Sequence, residues 1–429
     1  MKSIFERSTE FLTRAERIIP LGSQTFSKSK AQYPVGFAPL FADKAKGAYL
    51  WDVDGNKYVD LVSNLASVTL GYADKAQNQH VWRQMKMSAG MSLPSRLETY
   101  VAEKVSELVP SAEMIRFAKN GSDATSAAIR LSRAYTSRDH VVVCGYHGWQ
   151  DWYIGSTSRR KGVPTSIQAL THTFKYNDLS SLEHVFKEYK DKIACVVLEP
   201  MNHTYPIDGF LQSVINLCEQ NGAICVFDET ITGFRFSEGG AQQLFGVTPH
   251  LSTFGKGIAN GFPLSVICGR REIMNEMNHI FFSGTFGGEL LSLSAADYVL
   301  DKHLQNLVIP ELTRIGEDLV RHQREIVDKY ALSQVLKFSG HPSWIFYEWR
   351  DSDKYSAIQL KSLFAQEIFQ RGLLLINTNN ISLSHKGKAS KRILQIFDAA
   401  LREVKDALES DSVLKRLKYA PLDPVMKIR

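Results

Sequence analysis

The segment AICVFDE, residues 223–229, is a run of five apolar residues that ends in two carboxylates. Four similar runs occur along the chain, separated by stretches of helical periodicity: MIRFA (114–118), VVVCG (141–145), IACVVLEP (193–200) and LSVICGR (264–270). Short apolar runs that alternate with helices are typical of an α/β protein whose mostly parallel sheet is covered by helices. The sequence therefore predicts this fold class.

The regions on either side of these runs have different patterns. GAYLWDVDGNKYVDL, within residues 41–61, alternates around Asp54-Gly55-Asn56 and predicts a β-hairpin. After about residue 305 long amphipathic helices predominate, and a short strand pair is predicted near SWIFYEW (343–349) and ISLSH (381–385). We expect a large domain over residues 61–305 and a smaller α+β domain built from both chain ends, residues 1–60 and 306–429.

The composition is that of a soluble globular protein. Of 429 residues, 44% are hydrophobic, which is enough for a large core. The formal net charge of +6 arises partly from the last fifteen residues, and a short basic end is typical of a solvated tail rather than of a nucleic-acid-binding surface. No apolar run reaches the roughly eighteen residues that a membrane span needs, and the N-terminal segment has helical periodicity instead of the apolar core of a signal peptide.

The five cysteines have no CxxC spacing, and most of them lie in apolar runs of strand length. Free thiols in such runs behave as small hydrophobic side chains and indicate a reducing compartment. We therefore expect a cytoplasmic protein, with no metal site and no membrane or nucleic-acid partner.

Polar residues follow the carboxyl ends of the apolar runs. They are Asn120-Gly121-Ser122, Tyr146-His147, Glu199 and Asp228. In open α/β sheets the ligand crevice lies outside the carboxyl ends of the strands. The sequence therefore predicts that these residues share one site.

A further candidate for this site is Lys256 in STFGKGIANG, residues 252–261. The GK pair is not a phosphate-binding P-loop, because His250 and Gly257 stand where that motif needs glycine and a hydroxyl residue. A structural lysine in a turn is the alternative. A lysine amine that forms an imine and a carboxylate such as Asp228 that pairs with a protonated ring nitrogen are two parts that pyridoxal phosphate needs from a protein.

The third part is a phosphate site. Asn120-Gly121-Ser122-Asp123 follows a strand and opens a helix with small residues in its first turn, so its amides and the Ser122 hydroxyl can bind an anion. An ordinary helix N-cap is the alternative. Tyr146 and His147 end the next strand, where an aromatic face can stack on a planar cofactor, although each is also typical of a core.

These residues occur in motifs that resemble the class III (fold type I) pyridoxal-phosphate aminotransferases, in particular the branch that contains glutamate-1-semialdehyde aminomutase. The resemblance covers nearly the whole chain and includes FAKNGSDATSAAIRLSRAY, GYHGWQDWY, VVLEPM, VFDETITGFR, FGKGIANGFPLS and FSGTFGGELLS. It implies the fold type I architecture and pyridoxal 5′-phosphate as cofactor. It also implies a homodimer, with a small-molecule amino donor and a keto or aldehyde acceptor as partners.

The resemblance also implies a role for each residue. Lys256 would form the Schiff base and carry the proton, and Asp228 would pair with the pyridinium nitrogen. Gly121 and Ser122 would bind the phosphate, and Thr285 would reach the phosphate of the neighbouring subunit. Tyr146 would lie on one face of the cofactor ring with His147 nearby, and Thr230 on the other face. Glu199 and Glu229 would be acids around the site. The alternative for Thr285 is that it caps the helix ELLSLSAADYVL of its own chain.

Two departures from the family pattern bear on function. Thr230 stands where a branched aliphatic residue is usual, and INTNNISLSH (376–385) lacks the acidic residue of the aminomutases. We therefore expect an aminotransferase that releases its keto product, with the aminomutase as one alternative and a cofactor-free binding protein as another. Lys28, Trp51 and Arg159 are the candidate substrate residues, and an acidic or sugar-derived substrate is expected.

Overall fold

The computed structural model describes residues 4–421, which form two compact units from residues 4–74 with 311–421 and from residues 75–310. The helices are α1 (Glu6–Glu16), α2 (Ser63–Ala66), α3 (Lys75–Met85), α4 (Arg96–Leu108), α5 (Gly121–Thr136), α6 (Asp151–Ile154), α7 (Thr165–Gln168), α8 (Leu179–Glu188), α9 (Phe210–Gln220), α10 (Ala241–Leu244), α11 (Arg271–Met274), α12 (Leu290–Leu304), α13 (Ile309–Lys329), α14 (Ala357–Arg371), α15 (Lys388–Glu409) and α16 (Val413–Arg416). The strands are β1 (Ala42–Lys46), β2 (Tyr49–Asp52), β3 (Lys57–Asp60), β4 (Met114–Ala118), β5 (His140–Cys144), β6 (Thr171–Thr173), β7 (Ile193–Leu198), β8 (Ile224–Glu229), β9 (Leu251–Phe254), β10 (Ser265–Gly269), β11 (Leu336–His341), β12 (Trp344–Trp349), β13 (Leu373–Leu374) and β14 (Thr378–Asn380).

The unit of residues 75–310 is built on a seven-stranded sheet with the order β4-β10-β9-β8-β7-β5-β6. Strands β9, β8, β7, β5 and β6 are parallel, and β10 runs antiparallel to both of its neighbours. Every residue of β7 and β8 is buried, because both faces of a parallel sheet are covered by helices. The predicted fold class, a mostly parallel α/β sheet, is confirmed.

Alternate residues of these strands contribute to cores on opposite faces of the sheet. Val141 and Val143 pack with Ala124, Ala127 and other residues of α5. Val142 lies in the other core, which includes residues of α8 and α9. The small side chains of α5 let its first turn lie close to the strands, which fixes residue 121 at the sheet edge where the strands end.

The other unit contains two smaller sheets, with the orders β1-β2-β3-β13 and β11-β12-β14. The predicted hairpin is present, because β2 and β3 pair antiparallel around residues 53–56. The strand predicted at 381–385 is displaced: β14 ends at Asn380 and pairs with β12. The segment after it turns instead, since the backbone N–H of Ser382 donates to His385 Nδ1 at 2.9 Å.

Residues 63–66 of this unit form a left-handed turn without glycine, with φ values from 47° to 68°. Such backbone costs about 1–2 kcal/mol per residue and needs support. Ser63 Oγ donates to the Asn380 carbonyl at 2.7 Å, and the backbone N–H of Ser63 donates to Asp60 Oδ1 at 3.1 Å.

Across residues 4–421, none of the helices combines the length and the apolar character that a membrane crossing requires.

Candidate active site

Asp228 lies at the carboxyl end of β8 and is 5% exposed. Its Oδ1 accepts hydrogen bonds from the backbone N–H of Thr230 at 3.1 Å, the Thr230 hydroxyl at 2.5 Å and the Thr253 hydroxyl at 3.1 Å. Its Oδ2 lies 2.9 Å from His147 Nδ1. Burial raises the pKa of Asp228, but the hydrogen bonds and charge of His147 and the bonds from Thr230 outweigh burial and hold the pKa below its ordinary value.

His147 is buried and has both ring nitrogens against oxygen atoms. Nε2 lies 3.1 Å from the carbonyl oxygen of Cys144, so it carries a hydrogen, and Nδ1 faces Asp228. One proton therefore lies between Nδ1 and the carboxylate. The ring packs on Trp152 at 6.4 Å and against the edge of Tyr153 at 5.4 Å between centroids, which fixes its orientation.

Lys256 follows β9, the neighbour of β8, and Thr253 of β9 is paired with Asp228. Its backbone is left-handed, with φ of 42°, a conformation that costs about 1 kcal/mol or more in a residue with a side chain. The side chain is half-buried. Burial lowers the pKa of Lys256 to about 8, although the charges of Glu199 and Asp228 act in the opposite direction.

The glycine before this lysine has a steric role. A Cβ at Gly255 would lie 3.3 Å from Thr230 Cγ2, tighter than an ordinary contact. A Cβ at Gly121 would lie 3.1 Å from the same methyl group. Gly121 and Ser122 are the first two residues of α5, and Asp123 Oδ2 accepts the backbone N–H of Asn120 at 2.8 Å. Asn120 and Asp123 thus form the capping box of an ordinary helix N-cap, and a helix N-terminus with Gly121 and Ser122 in its first turn is also a position where an anion can bind.

Glu199, at the end of β7, holds Tyr146 in place. Its Oε2 accepts the backbone N–H of Tyr146 and the side-chain amide of Asn202, each at 3.0 Å. Burial raises the pKa of Glu199. Tyr146 is 50% exposed, and its ring meets Tyr153 edge to face at 5.7 Å between centroids. One face of the Tyr146 ring is therefore open to a planar ligand.

Glu229, the other acid at the end of β8, does not lie with these residues. Successive side chains of a strand point to opposite faces of the sheet. Its carboxylate accepts the backbone N–H groups of Ala241 at 2.7 Å and Gln242 at 2.8 Å, and it binds the Thr232 hydroxyl. Glu229 is therefore an acceptor for the first two backbone N–H groups of α10.

Thr285 is exposed in the segment between the 3₁₀ turn of residues 275–278 and α12. Arg130 and Arg116 donate to the carbonyl oxygens of Phe281 at 2.6 Å and Phe282 at 3.1 Å, and the segment lines a cavity of about 770 Å³. The N-cap of α12 is Glu289, whose carboxylate accepts the N–H groups of residues 291 and 292. The alternative that Thr285 caps this helix is therefore wrong.

The three candidate substrate residues lie in different places. Lys28 Nζ donates to Asn64 Oδ1 at 2.6 Å beside a cavity of about 640 Å³ in the unit of residues 4–74 and 311–421, and burial lowers the pKa of its amine. Trp51, on β2 of the same unit, has the amines of Lys44 and Lys57 over its ring at 5.3 and 5.2 Å. Arg159 is exposed in the unit of residues 75–310. Their role stays a prediction.

The arrangement in the unit of residues 75–310 fits pyridoxal phosphate. Asp228 Oδ2 has one donor among the described residues and can accept a second from a protonated ring nitrogen, since each carboxylate oxygen has two lone pairs. The start of α5 suits the phosphate, and the amine of Lys256 is partly deprotonated near neutral pH because of its lowered pKa. When bound, the cofactor would supply an electron sink for the substrate carbon that bears the amino group.

Two contributors to this site were missed from the sequence, Thr253 and Asn202. Thr253 lies in LSTF, an apolar run too short to stand out as a separate strand, and its polar position in a buried strand was the available signal. Asn202 follows β7 by four residues in an irregular segment, where side-chain direction cannot be read from a periodic pattern.

Comparison with known proteins agrees with this geometry. Residues 31–383 match the family model of the class III aminotransferases. The chain is 38% identical over 340 residues to the glutamate-1-semialdehyde 2,1-aminomutase of Alkaliphilus oremlandii, a match that covers 75% of this chain and 80% of that protein. The enzyme of the same name from Syntrophobacter fumaroxidans is 38% identical over 333 residues, covering 73% and 76%.

Solved structures extend the match. The FumI protein of Sphingopyxis sp. MTA144, in its pyridoxal-phosphate internal aldimine form, is 27% identical and superposes with a TM-score of 0.87 over 94% of this chain and 98% of that one. A glutamate-1-semialdehyde aminomutase from Pseudomonas aeruginosa, 21% identical, has a TM-score of 0.82 over 94% and 96% and supports the fold type I architecture alone.

The family match covers most of the chain, and the lysine, carboxylate and helix start of one sheet edge meet the needs of the cofactor. The chain therefore belongs to the class III aminotransferase family and is an aminotransferase that uses pyridoxal 5′-phosphate.

Proposed function

We propose that this enzyme is an intermolecular aminotransferase, which takes an amino group from a donor, releases the keto product and aminates a separate keto or aldehyde acceptor. The observation that carries this proposal is the neutral segment 376–385, where the aminomutases have an acidic residue. Asn379 exchanges hydrogen bonds with Tyr347 and Gln323, and Asn380 donates to the Val62 carbonyl at 2.8 Å. Both amides are thus used in packing.

In this proposal Lys256 would hold the cofactor, and its amine would accept a proton from the substrate and return it. A pKa near 8 suits this task, because a group that titrates close to the working pH can both accept and return a proton. Asp228 stays ionised and accepts the hydrogen of the ring nitrogen. Gly121 and Ser122 bind the phosphate, Tyr146 covers one face of the ring, and Thr230 packs on the other.

We also propose that the enzyme is a homodimer in which Thr285 reaches the phosphate of the partner's cofactor. Thr285 is exposed and is not the N-cap of α12, and Phe281 and Phe286 near it are 82% and 66% exposed. Exposed aromatic side chains around a cavity are typical of a surface that another protein covers. A twofold dimer then contains two equivalent composite sites.

The substrate and location are proposed at a coarser level. The cationic side chains of Lys28 and Arg159 favour an acidic or sugar-derived substrate. The five cysteines are free, four of them are buried, and they favour a cytoplasmic location.

A second candidate is an intramolecular aminomutase, because two relatives at 38% identity carry that name. The two candidates differ in their need for a donor. The test incubates the cofactor-loaded enzyme with glutamate-1-semialdehyde alone, and in parallel with glutamate or alanine and no semialdehyde. The proposal predicts loss of the cofactor's colour and formation of a keto acid with a donor. Sustained formation of 5-aminolevulinate from the semialdehyde alone would establish the aminomutase instead.

A further inference from the structure

Thr230 contacts three parts of the site at once. Its hydroxyl donates to Asp228 Oδ1 at 2.5 Å, the shortest of the three hydrogen bonds to that oxygen. Its methyl group lies where a Cβ at Gly121 would be 3.1 Å away and a Cβ at Gly255 would be 3.3 Å away. One side chain therefore lies between the carboxylate, the start of α5 and the loop that carries Lys256.

The two ends of this side chain do different things. The hydroxyl is a hydrogen-bond donor that favours the ionised form of a buried carboxylate. The methyl group fills the space beside two glycines and keeps their backbones in position. A valine has nearly the same shape and can replace the methyl contact, but it leaves Asp228 Oδ1 with two donors, the N–H of residue 230 and the Thr253 hydroxyl.

We propose that Thr230 is a positioning residue whose hydroxyl keeps Asp228 an ionised acceptor for the cofactor, while its methyl group sets the spacing between the start of α5 and the loop that carries Lys256. The inference rests on the proposed role of Asp228 in cofactor binding. It assigns the hydroxyl a task that the branched aliphatic residue expected at this position cannot perform.

Other charged and titratable groups also act on Asp228. His147 faces Oδ2 from the segment after β5, and the charge of Asp228 is felt by Glu199 after β7, by Lys256 after β9, and by Tyr146 and Tyr153. None of these groups contacts Oδ1 among the described hydrogen bonds, whereas Thr230 does. A substitution at residue 230 therefore changes the donors to Oδ1 and leaves the other groups in place.

The test compares Thr230→Val, which lacks the hydroxyl, with Thr230→Ser, which keeps it and lacks the methyl group. Two quantities are measured over a range from about pH 3 to about pH 8, which extends from below the ordinary pKa of an aspartate to the higher pH at which a carboxylate that has lost a donor takes up its proton. One is the dissociation constant for pyridoxal phosphate by equilibrium dialysis. The other is the His147 Nδ1–H resonance of the cofactor-free protein labelled with ¹⁵N-histidine, assigned by its absence in His147→Asn.

In Thr230→Val both readouts should show their acid transition at higher pH than in the wild type. At the highest pH measured, its affinity for pyridoxal phosphate should be within a few-fold of the wild-type value. In Thr230→Ser the acid transition should stay where it is in the wild type, and affinity should fall at every pH by about threefold to tenfold, the value of one buried methyl group. If Thr230→Val does not fold, Thr230→Ala provides the same comparison, since it also lacks the hydroxyl.

An acid transition of Thr230→Val at the wild-type pH in both readouts would overturn the proposal, and so would an equal upward shift in Thr230→Ser. The histidine resonance is measured without cofactor. A wild-type protein that fails to bind pyridoxal phosphate would therefore contradict the proposed function, while the resonance would still decide whether the Thr230 hydroxyl acts on Asp228.

Discussion

His147 Nδ1 lies 2.9 Å from Asp228 Oδ2, and both side chains are buried. A carboxylate at this depth is costly unless charged or polar partners meet it. Here the imidazole meets one oxygen and three donors meet the other, so Asp228 stays ionised although it is buried. An ionised and fixed acceptor is what a protonated ring nitrogen needs.

Replacing Asp228 by Asn should leave the fold and the attachment of the cofactor to Lys256 intact and lower kcat by about a hundredfold or more, since a neutral amide cannot hold the ring nitrogen protonated. Steady-state kinetics and the visible spectrum measure the two effects. Glu199→Gln is the matched control. Because burial raises the pKa of Glu199, replacing its carboxyl group by a neutral amide is a smaller change than at Asp228. The glutamine oxygen can still accept the hydrogen bonds from Tyr146 and Asn202. Activity of Asp228→Asn within a few-fold of Glu199→Gln would contradict the pairing.

The lowered pKa of Lys256 predicts a pH dependence for cofactor uptake. Only the neutral amine attacks an aldehyde, so the initial rate at which the cofactor-free protein becomes yellow should rise with pH and level off just above its pKa of about 8. An ordinary lysine would give a rate that rises until near 10.5. Because the Asp228 charge raises the pKa of Lys256, Asp228→Asn should level off at lower pH. A rate that continues to rise beyond pH 9 would show that the pKa of the Lys256 amine is not lowered to about 8.

The cap of α12 can be tested by stability. Glu289→Ala removes the acceptor of two helix N–H groups and the ion pair with Lys119 at 2.9 Å, and it should lower the free energy of unfolding of the cofactor-free protein by about 1–2 kcal/mol. Thr285→Ala should change it by less than about 0.5 kcal/mol. Urea unfolding measures both. The reverse ranking would restore Thr285 as the cap.

The composite site can be tested by mixing two variants, Lys256→Ala and Thr285→Glu, each of which should be nearly inactive alone. The first lacks the amine that holds the cofactor, and the second places a carboxylate against the phosphate. In a shared-site heterodimer one site has both defects and the other is wild type. Random exchange should therefore recover about a quarter of wild-type activity. Native mass analysis of tagged chains confirms that exchange has occurred. Heterodimers with no more activity than the single variants would show that Thr285 does not act across the interface.

The parts of this structure that the sequence predicted are those governed by periodicity. β8 was predicted within one residue, because a strand buried on both faces is a continuous apolar run bounded by polar residues. β4 was predicted with its observed bounds, although its residues are mostly only partly buried and Arg116 is exposed. β14 was predicted too late in the chain, because Thr378, Asn379 and Asn380 are polar residues that pair as a strand through buried amide hydrogen bonds.

Contacts between distant strands could not be predicted in the same way. His147 and Asp228 are 81 residues apart, and their approach depends on the sheet order that places β7 between β5 and β8. The approach of Thr230 to Gly121 and Gly255 depends on two loops and on the start of α5 together. By contrast, strand alternation alone could have separated Glu229 from Asp228, because successive side chains face opposite ways, whereas the family resemblance placed Glu229 around the site.

The central claim is that Lys256 carries the cofactor, and borohydride reduction tests it most directly. The purified protein is incubated with pyridoxal phosphate, reduced, digested and analysed by mass spectrometry, with Lys256→Ala treated in parallel. The account predicts a yellow protein that loses its colour on reduction and one modified peptide, the one that contains Lys256, absent from the variant. A protein that stays colourless and unmodified, or that is modified on another lysine to the same extent in both samples, would contradict the account.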